Sequence, residues 1–218
     1  MQHYALAPKT EITTKHFIQS FHLHSDNTVL LSYLSEEELE KVTQITHTKK
    51  QQAYIIAHAF TRILLTLTAK EHITPKEWHI KKNHRGKPYV DEAIFFNISY
   101  AEDLCTIAVS LEAEIGIDLA VYRPIASDDL PWFVLHPNEK TYLEAQVAED
   151  RYRHFLEMWT VKEAVSKALG LGFSLEFHTI DSTLMTIRYN QKYFRVIHED
   201  LIINQSRYHW CLAYIYTK

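Results

Sequence analysis

Glycine is nearly absent from this chain. Its 218 residues include only 4 glycines, where average usage would give about 15. Folds that rest on glycine-lined loops are therefore closed to it. Neither a G-x-G-x-x-G fingerprint nor a P-loop is present, and the G-x-S-x-G nucleophile elbow is missing as well. The four glycines are Gly86, Gly116, Gly170 and Gly172. Each should stand where the backbone needs φ > 0 or a close approach. With 46% hydrophobic and 23% charged residues, the chain is ordinary globular material and not a disordered one. Lys plus Arg number 23 against 27 Asp plus Glu, a net charge of −4, so no overall basic field exists to hold nucleic acid. No apolar run reaches the ~18–20 residues of a membrane span, and the first residues lack the apolar stretch of a signal peptide. Cys105 and Cys211 form no C-x-x-C pair. The expectation is a reduced, cytoplasmic protein with neither a nucleic-acid nor a membrane partner.

The pattern predicts an N-terminal extension over 1–16 and a strand over 17–24. Ser35 with Glu38 marks a capping box opening a helix over 35–46. A long helix over 49–72 follows, with Ala53, Ile56, Ala57, Phe60, Ile63, Leu64 and Leu67 at helical spacing. Strands are expected at 78–82, 94–99, 104–111 and 114–119, then helices at 127–134, 138–147 and 150–169, then strands at 184–190, 192–198 and 207–216. Strand, helices and strands thus occur twice, with the second round starting near residue 114. The closing segments Leu104–Val109 and Trp210–Ile215 resemble each other. The fold expected is α+β, with two pseudo-symmetric halves, 17–113 and 114–218, packed around a shared cleft that is the natural place for a ligand.

Several segments carry chemistry-bearing residues. In Trp159-Thr160-Val161-Lys162-Glu163-Ala164-Val165-Ser166-Lys167-Ala168-Leu169-Gly170-Leu171-Gly172, Glu163 and Lys167 are i,i+4 neighbours, and Gly170 is placed to end the helix. Taken alone, this is first of all the pattern of a solvated, salt-bridged helix face. Ile115-Gly116-Ile117-Asp118-Leu119 sets a carboxylate in an apolar strand, where a buried Asp needs a partner or a metal, or else caps the next segment. Arg85-Gly86-Lys87-Pro88 puts two cations on a turn, fit for phosphate but common in hairpins. Phe95-Phe96-Asn97-Ile98-Ser99-Tyr100 puts Asn97 and Ser99 on one strand face. His22 and His24 could chelate from one strand, but no third ligand accompanies them.

In this order, the segments resemble the 4′-phosphopantetheinyl transferases, specifically the monomeric surfactin-synthetase-type group. That family shows a G-K-P turn, F-N-x-S-H, G-[IV]-D-x-E and W-x-x-K-E-[AS]-x-x-K-x-x-G-x-G. The matches are Gly86-Lys87-Pro88, Phe96-Asn97-Ile98-Ser99, Gly116-Ile117-Asp118 and Trp159 through Gly172. The resemblance implies transfer of the phosphopantetheine arm of coenzyme A to a serine of an acyl or peptidyl carrier protein, releasing 3′,5′-ADP. It implies Mg²⁺ on Asp118 and Glu163, Glu163 assisting deprotonation of the serine, and Lys167 neutralising the departing phosphate. Lys87, Pro88, Ser99, Tyr100, Lys162 and Arg62 are then expected around coenzyme A. Arg151 and Arg153 are expected to face the acidic carrier.

Three departures stand out. Ala120 replaces the second acid of G-[IV]-D-x-E, so water must take that position. Tyr100 replaces the histidine of F-N-x-S-H, and Gln51, Gln52 and Ala53 replace basic residues near the start of the long helix. Tyr100 can donate a hydrogen bond to a phosphate but carries no positive charge. The alternative reading is an impaired homologue that binds coenzyme A or a carrier without transfer. Retention of Asp118, Glu163 and Lys167 together argues for the active enzyme.

Overall fold

Two-residue hairpins normally call on glycine, and this chain makes them without it. In a computed structural model, which describes residues 16–22, 28–70, 72–123, 125–126, 129–184 and 186–216, Asn190-Gln191 and Asn204-Gln205 all have positive φ, between 45° and 67°. Such turns need φ > 0 at both central residues, and asparagine tolerates that conformation better than most side chains. The residues expected to form the N-terminal extension, up to residue 15, and His24 lie outside the described residues, as does the side chain of His22.

The chain divides into two compact units between Glu112 and Ala113. In the first, β1 (His16–His22), β5 (Leu104–Ser110) and β4 (Phe95–Ala101) form an antiparallel sheet with β5 in the centre. Helices α1 (Glu36–Gln44) and α2 (Thr48–Thr68) lie between β1 and β4 in the chain, and α2 packs on β5. The Ser35–Glu38 capping box forms as the sequence predicts, each side chain bonded to the other's backbone N–H. A separate hairpin joins β2 (Lys81–Lys82) to β3 (Pro88–Tyr89). The strand expected over 78–82 is reduced to those two residues; Trp78 is buried in the core of this unit and its carbonyl accepts from Arg62 instead of from a neighbouring strand.

The second unit orders its antiparallel sheet as β6 (Ile115–Val121), β9 (Ser206–Tyr216), β8 (Lys192–Ile203) and β7 (Thr186–Tyr189). Helix α3 (Pro137–Glu144) leads into α4 (Ala148–Leu169), which lies on β6 and β9. Of the helix expected over 127–134, residues 127 and 128 lie outside the described residues, and a 3₁₀ turn forms at Trp132–Val134, directly after Pro131, which cannot sit inside a helix. The likeness of the two closing segments has a physical reason. Each belongs to the strand paired on both sides, so each is apolar at successive positions instead of alternating. Cys105 and Cys211 are both buried free thiols, pushed above the ordinary thiol range by that burial, with the charge of Asp118 adding to the rise at Cys211. No helix among the described residues is long and apolar enough to cross a membrane.

Candidate active site

The site is built around a missing side chain. A Cβ at Gly116 would run into the carbonyl oxygen of Ala164 and the amide nitrogen of Ala168. Glycine lets β6 cross α4 backbone against backbone. Strand alternation returns Asp118 to the same α4-facing side two residues on. There Lys167 Nζ meets Asp118 Oδ1 at 2.6 Å. Glu163, one turn earlier on α4, senses both groups. Burial raises its carboxyl above the ordinary value, the Asp118 charge adds to the rise, and Lys167 opposes it. Asp118 is 7% exposed, while Glu163 and Lys167 are half-buried. Immediately beyond, Gly170 adopts a left-handed φ of 65°. Its N–H donates to Lys167 O, and that of Leu171 to Ser166 O, closing the helix just after the lysine.

The structure thus brings Asp118 of β6 against Lys167, with Glu163 one turn earlier on the same helix close enough to feel both charges. It corrects the expectation for Lys162. That side chain is fully buried, its Nζ 2.8 Å from Glu139 Oε2 and donating to Val134 O, Phe177 O and Ile180 O at 3.1, 2.6 and 2.7 Å. A lysine enclosed in this way pins loops to the helix and does not reach a phosphate. Arg62 needs the same correction. At 2% exposure it holds Glu38 at 2.7 Å and the carbonyls of Pro75 and Trp78 at 2.8 and 2.9 Å. Ser99, 3% exposed, pairs in register with Thr106 inside the sheet and is likewise no surface contact. Lys87 and Pro88 stand on the hairpin, whose turn is held by Asn83 Oδ1 accepting from the N–H groups of Arg85 and Lys87. Tyr100 is exposed.

Arg151 donates to the carbonyls of Gln146 and Glu144 at the end of α3. Arg153 is paired with Glu157 and Asp150, so its charge is neutralised locally. Sequence reasoning missed Glu139, although the run His136-Pro137-Asn138-Glu139 is the capping signal that fixes it. A cavity of about 220 Å³ lies elsewhere in the second unit, lined by residues that include Tyr142, His154, Glu157 and His198 but none of the converging three.

Chemically, two carboxylates beside a lysine offer hard oxygen donors and a compensating cation. Among the described residues no three His, Cys, Asp or Glu side chains converge on a metal. Asp118 and Glu163 nonetheless fit Mg²⁺, which commonly takes one or two carboxylates and completes its shell with waters and substrate oxygens.

Comparison with known proteins points the same way. A family profile, the 4′-phosphopantetheinyl transferase superfamily, matches residues 114–215. The 4′-phosphopantetheinyl transferase gsp of Aneurinibacillus migulanus is 30% identical over 141 residues, 60% of this chain and 59% of its own. HetI of Nostoc sp. (strain PCC 7120), also named a 4′-phosphopantetheinyl transferase, is 26% identical over 66% of this chain and 63% of its own. The 4′-phosphopantetheinyl transferase of Bacillus subtilis is 28% identical over 67% and 64%. The chain therefore spans less than two thirds of the length of each of these relatives.

Proposed function

We propose, from a second unit that belongs to the 4′-phosphopantetheinyl transferase superfamily, that the protein moves the phosphopantetheine arm of coenzyme A onto a serine of an acyl or peptidyl carrier protein. The observation that carries this is the meeting of Asp118, Glu163 and Lys167 where Gly116 lets β6 touch α4. Displacement at a pyrophosphate is chiefly a matter of positioning and charge neutralisation. Asp118 and Glu163 would hold Mg²⁺, which when bound supplies charge neutralisation at the pyrophosphate oxygens.

The chain's own groups supply the rest. Glu163 would help take up the serine proton, directly or through water. Lys167 leaves Asp118 to meet the departing phosphate, which becomes 3′,5′-ADP. Lys87, Pro88 and Tyr100 of the first unit remain the candidates for contacts to coenzyme A. We read the enzyme as a monomer of the cytoplasm, where its buried thiols stay reduced.

The test is incubation with coenzyme A, Mg²⁺ and several apo-carriers, followed by mass spectrometry of each carrier. Wild type should add one phosphopantetheine to at least one carrier. Glu163→Gln should fold normally and add none, and full activity in that variant would sink the mechanism. Ala120 favours one second reading, an impaired binding homologue. It requires wild-type silence against every carrier and transfer only after Ala120→Glu with Tyr100→His.

A further inference from the structure

Directly across the sheet from Ala120 stands a histidine. The register pairs Ala120 of β6 with His209 of β9, and His209 with Asp200 of β8. Alternation puts all three on the side that carries Gly116 and Asp118, the side packed on α4. His209 is 4% exposed. Its Nδ1 lies 2.8 Å from Asp200 Oδ1, and because an ionised carboxylate only accepts, Nδ1 carries the proton. Arg207 donates to the same carboxylate from Nε and Nη2. Burial alone would raise the Asp200 carboxyl, but the hydrogen bonds from His209 and Arg207 hold it below its ordinary value. The ring is thereby fixed in one tautomer, with Nε2 as its acceptor when neutral.

That acceptor has nothing to accept from. Among the described residues, Nε2 of His209 is the buried side-chain nitrogen or oxygen left without a hydrogen-bond partner, a state that is costly unless water or a ligand answers it. The two ring nitrogens face nearly opposite ways. With Nδ1 bonded to Asp200 of β8, Nε2 is on the ring edge away from that strand, and residue 120, the β6 partner of His209, offers only a methyl group. A small side chain two residues from Asp118 and a buried, unanswered acceptor on its cross-strand partner occur together.

We propose that His209 is a positioning residue of this site. Its Nε2 holds the water that fills the place a carboxylate at position 120 would occupy, and Asp200 with Arg207 orients the imidazole for that task. The inference rests on the transferase reading and adds to it a device particular to a chain with alanine at 120. Partners one step removed from a metal are worth 10- to 100-fold in its affinity, because they orient what touches the ion.

The test follows coenzyme A binding to the full chain by calorimetry across Mg²⁺ concentrations, together with ¹⁵N NMR of the imidazoles. In wild type, Mg²⁺ with coenzyme A should shift the His209 Nε2 resonance. His209→Ala should raise the half-saturating Mg²⁺ concentration about 10- to 100-fold. His209→Phe, which keeps the bulk and removes the acceptor, should do the same while melting near wild type. In an Ala120→Glu background the loss from His209→Ala should fall to about twofold or less, the non-additivity expected of groups serving one position. An unmoved Nε2 resonance, an unchanged Mg²⁺ dependence in His209→Phe, or an equal loss in the Ala120→Glu background overturns the role of His209 and leaves the transferase reading standing. Coenzyme A binding that ignores Mg²⁺ in wild type and in Asp118→Ala alike overturns both.

Discussion

Gly116→Ala is the smallest change that tests how the site is assembled. The backbone at Gly116 is not in the left-handed region, so an alanine meets no conformational strain and the perturbation is purely steric. The added carbon would stand 2.9 Å from the carbonyl carbon of Lys167 and closer still to Ala164 O and Ala168 N. Ordinary contacts settle at about 3.5–4.0 Å, and with Ala164 O only 2.0 Å from the added carbon α4 must retreat from β6 by more than about 1 Å. All the obstructing atoms are helix backbone, which cannot rotate aside like a side chain. Overpacking of this kind costs about 1–3 kcal/mol. With a urea dependence of about 2 kcal/mol per M, the midpoint should fall by roughly 0.5–1.5 M. Fluorescence of Trp132, Trp159 and Trp210 follows the second unit, which holds all the tryptophans except Trp78. The functional cost should exceed the structural one, because the same retreat draws Glu163 and Lys167 away from Asp118. A misplacement of about 1 Å lowers a rate about 10²-fold. A Gly116→Ala protein with an unchanged urea midpoint and unchanged transfer would refute the claim that this glycine exists for close approach.

Other consequences can be checked by unfolding measurements. Lys162→Met leaves Glu139 buried without its cation and should destabilise the second unit by about 3–5 kcal/mol, whereas adding Glu139→Gln to it should recover part of the loss in chemical denaturation. Glu38, raised by burial but lowered further by hydrogen bonds from His58 and Arg62, titrates at about 2 against an ordinary 4.5. Its folded value is depressed, so its contribution of about 3 kcal/mol is present above the ordinary value and lost as pH falls from there toward 2. Glu38→Gln should therefore weaken the first unit at pH 7 and match wild type near pH 2. Gln205→Gly, at a φ of 67°, should raise the melting point of the second unit, since a non-glycine residue there costs about 1 kcal/mol or more.

The residues that the sequence made readable are those whose role is local. The Ser35 and Gly170 helix ends, the alternation along β6, and the i,i+4 pairing of Glu163 with Lys167 all follow from neighbours a few positions away. The motif order then joined Asp118 to that helix. What failed was the assignment of long cations. Lys162 beside Glu163 and Arg62 on the long helix read as free charge for phosphates, because a charged side chain carries a strong prior for the surface. The countersignal was present in the spacing. Lys162 sits on the stripe Met158, Val161, Val165, and Arg62 on the stripe Ile55, Ala59, Leu65, all of them buried. A cation on an apolar stripe is buried with it and must find an anion and carbonyls there, which is what Glu139 and Glu38 provide. Those partners lie 23 and 24 residues away in sequence, and no local rule identifies them. Position decides what each cation does. Lys167 lies off the stripe at the last turn of α4, half-buried one turn beyond Glu163; its ammonium meets Asp118, and under the proposed function it is the lysine that would exchange Asp118 for a substrate phosphate.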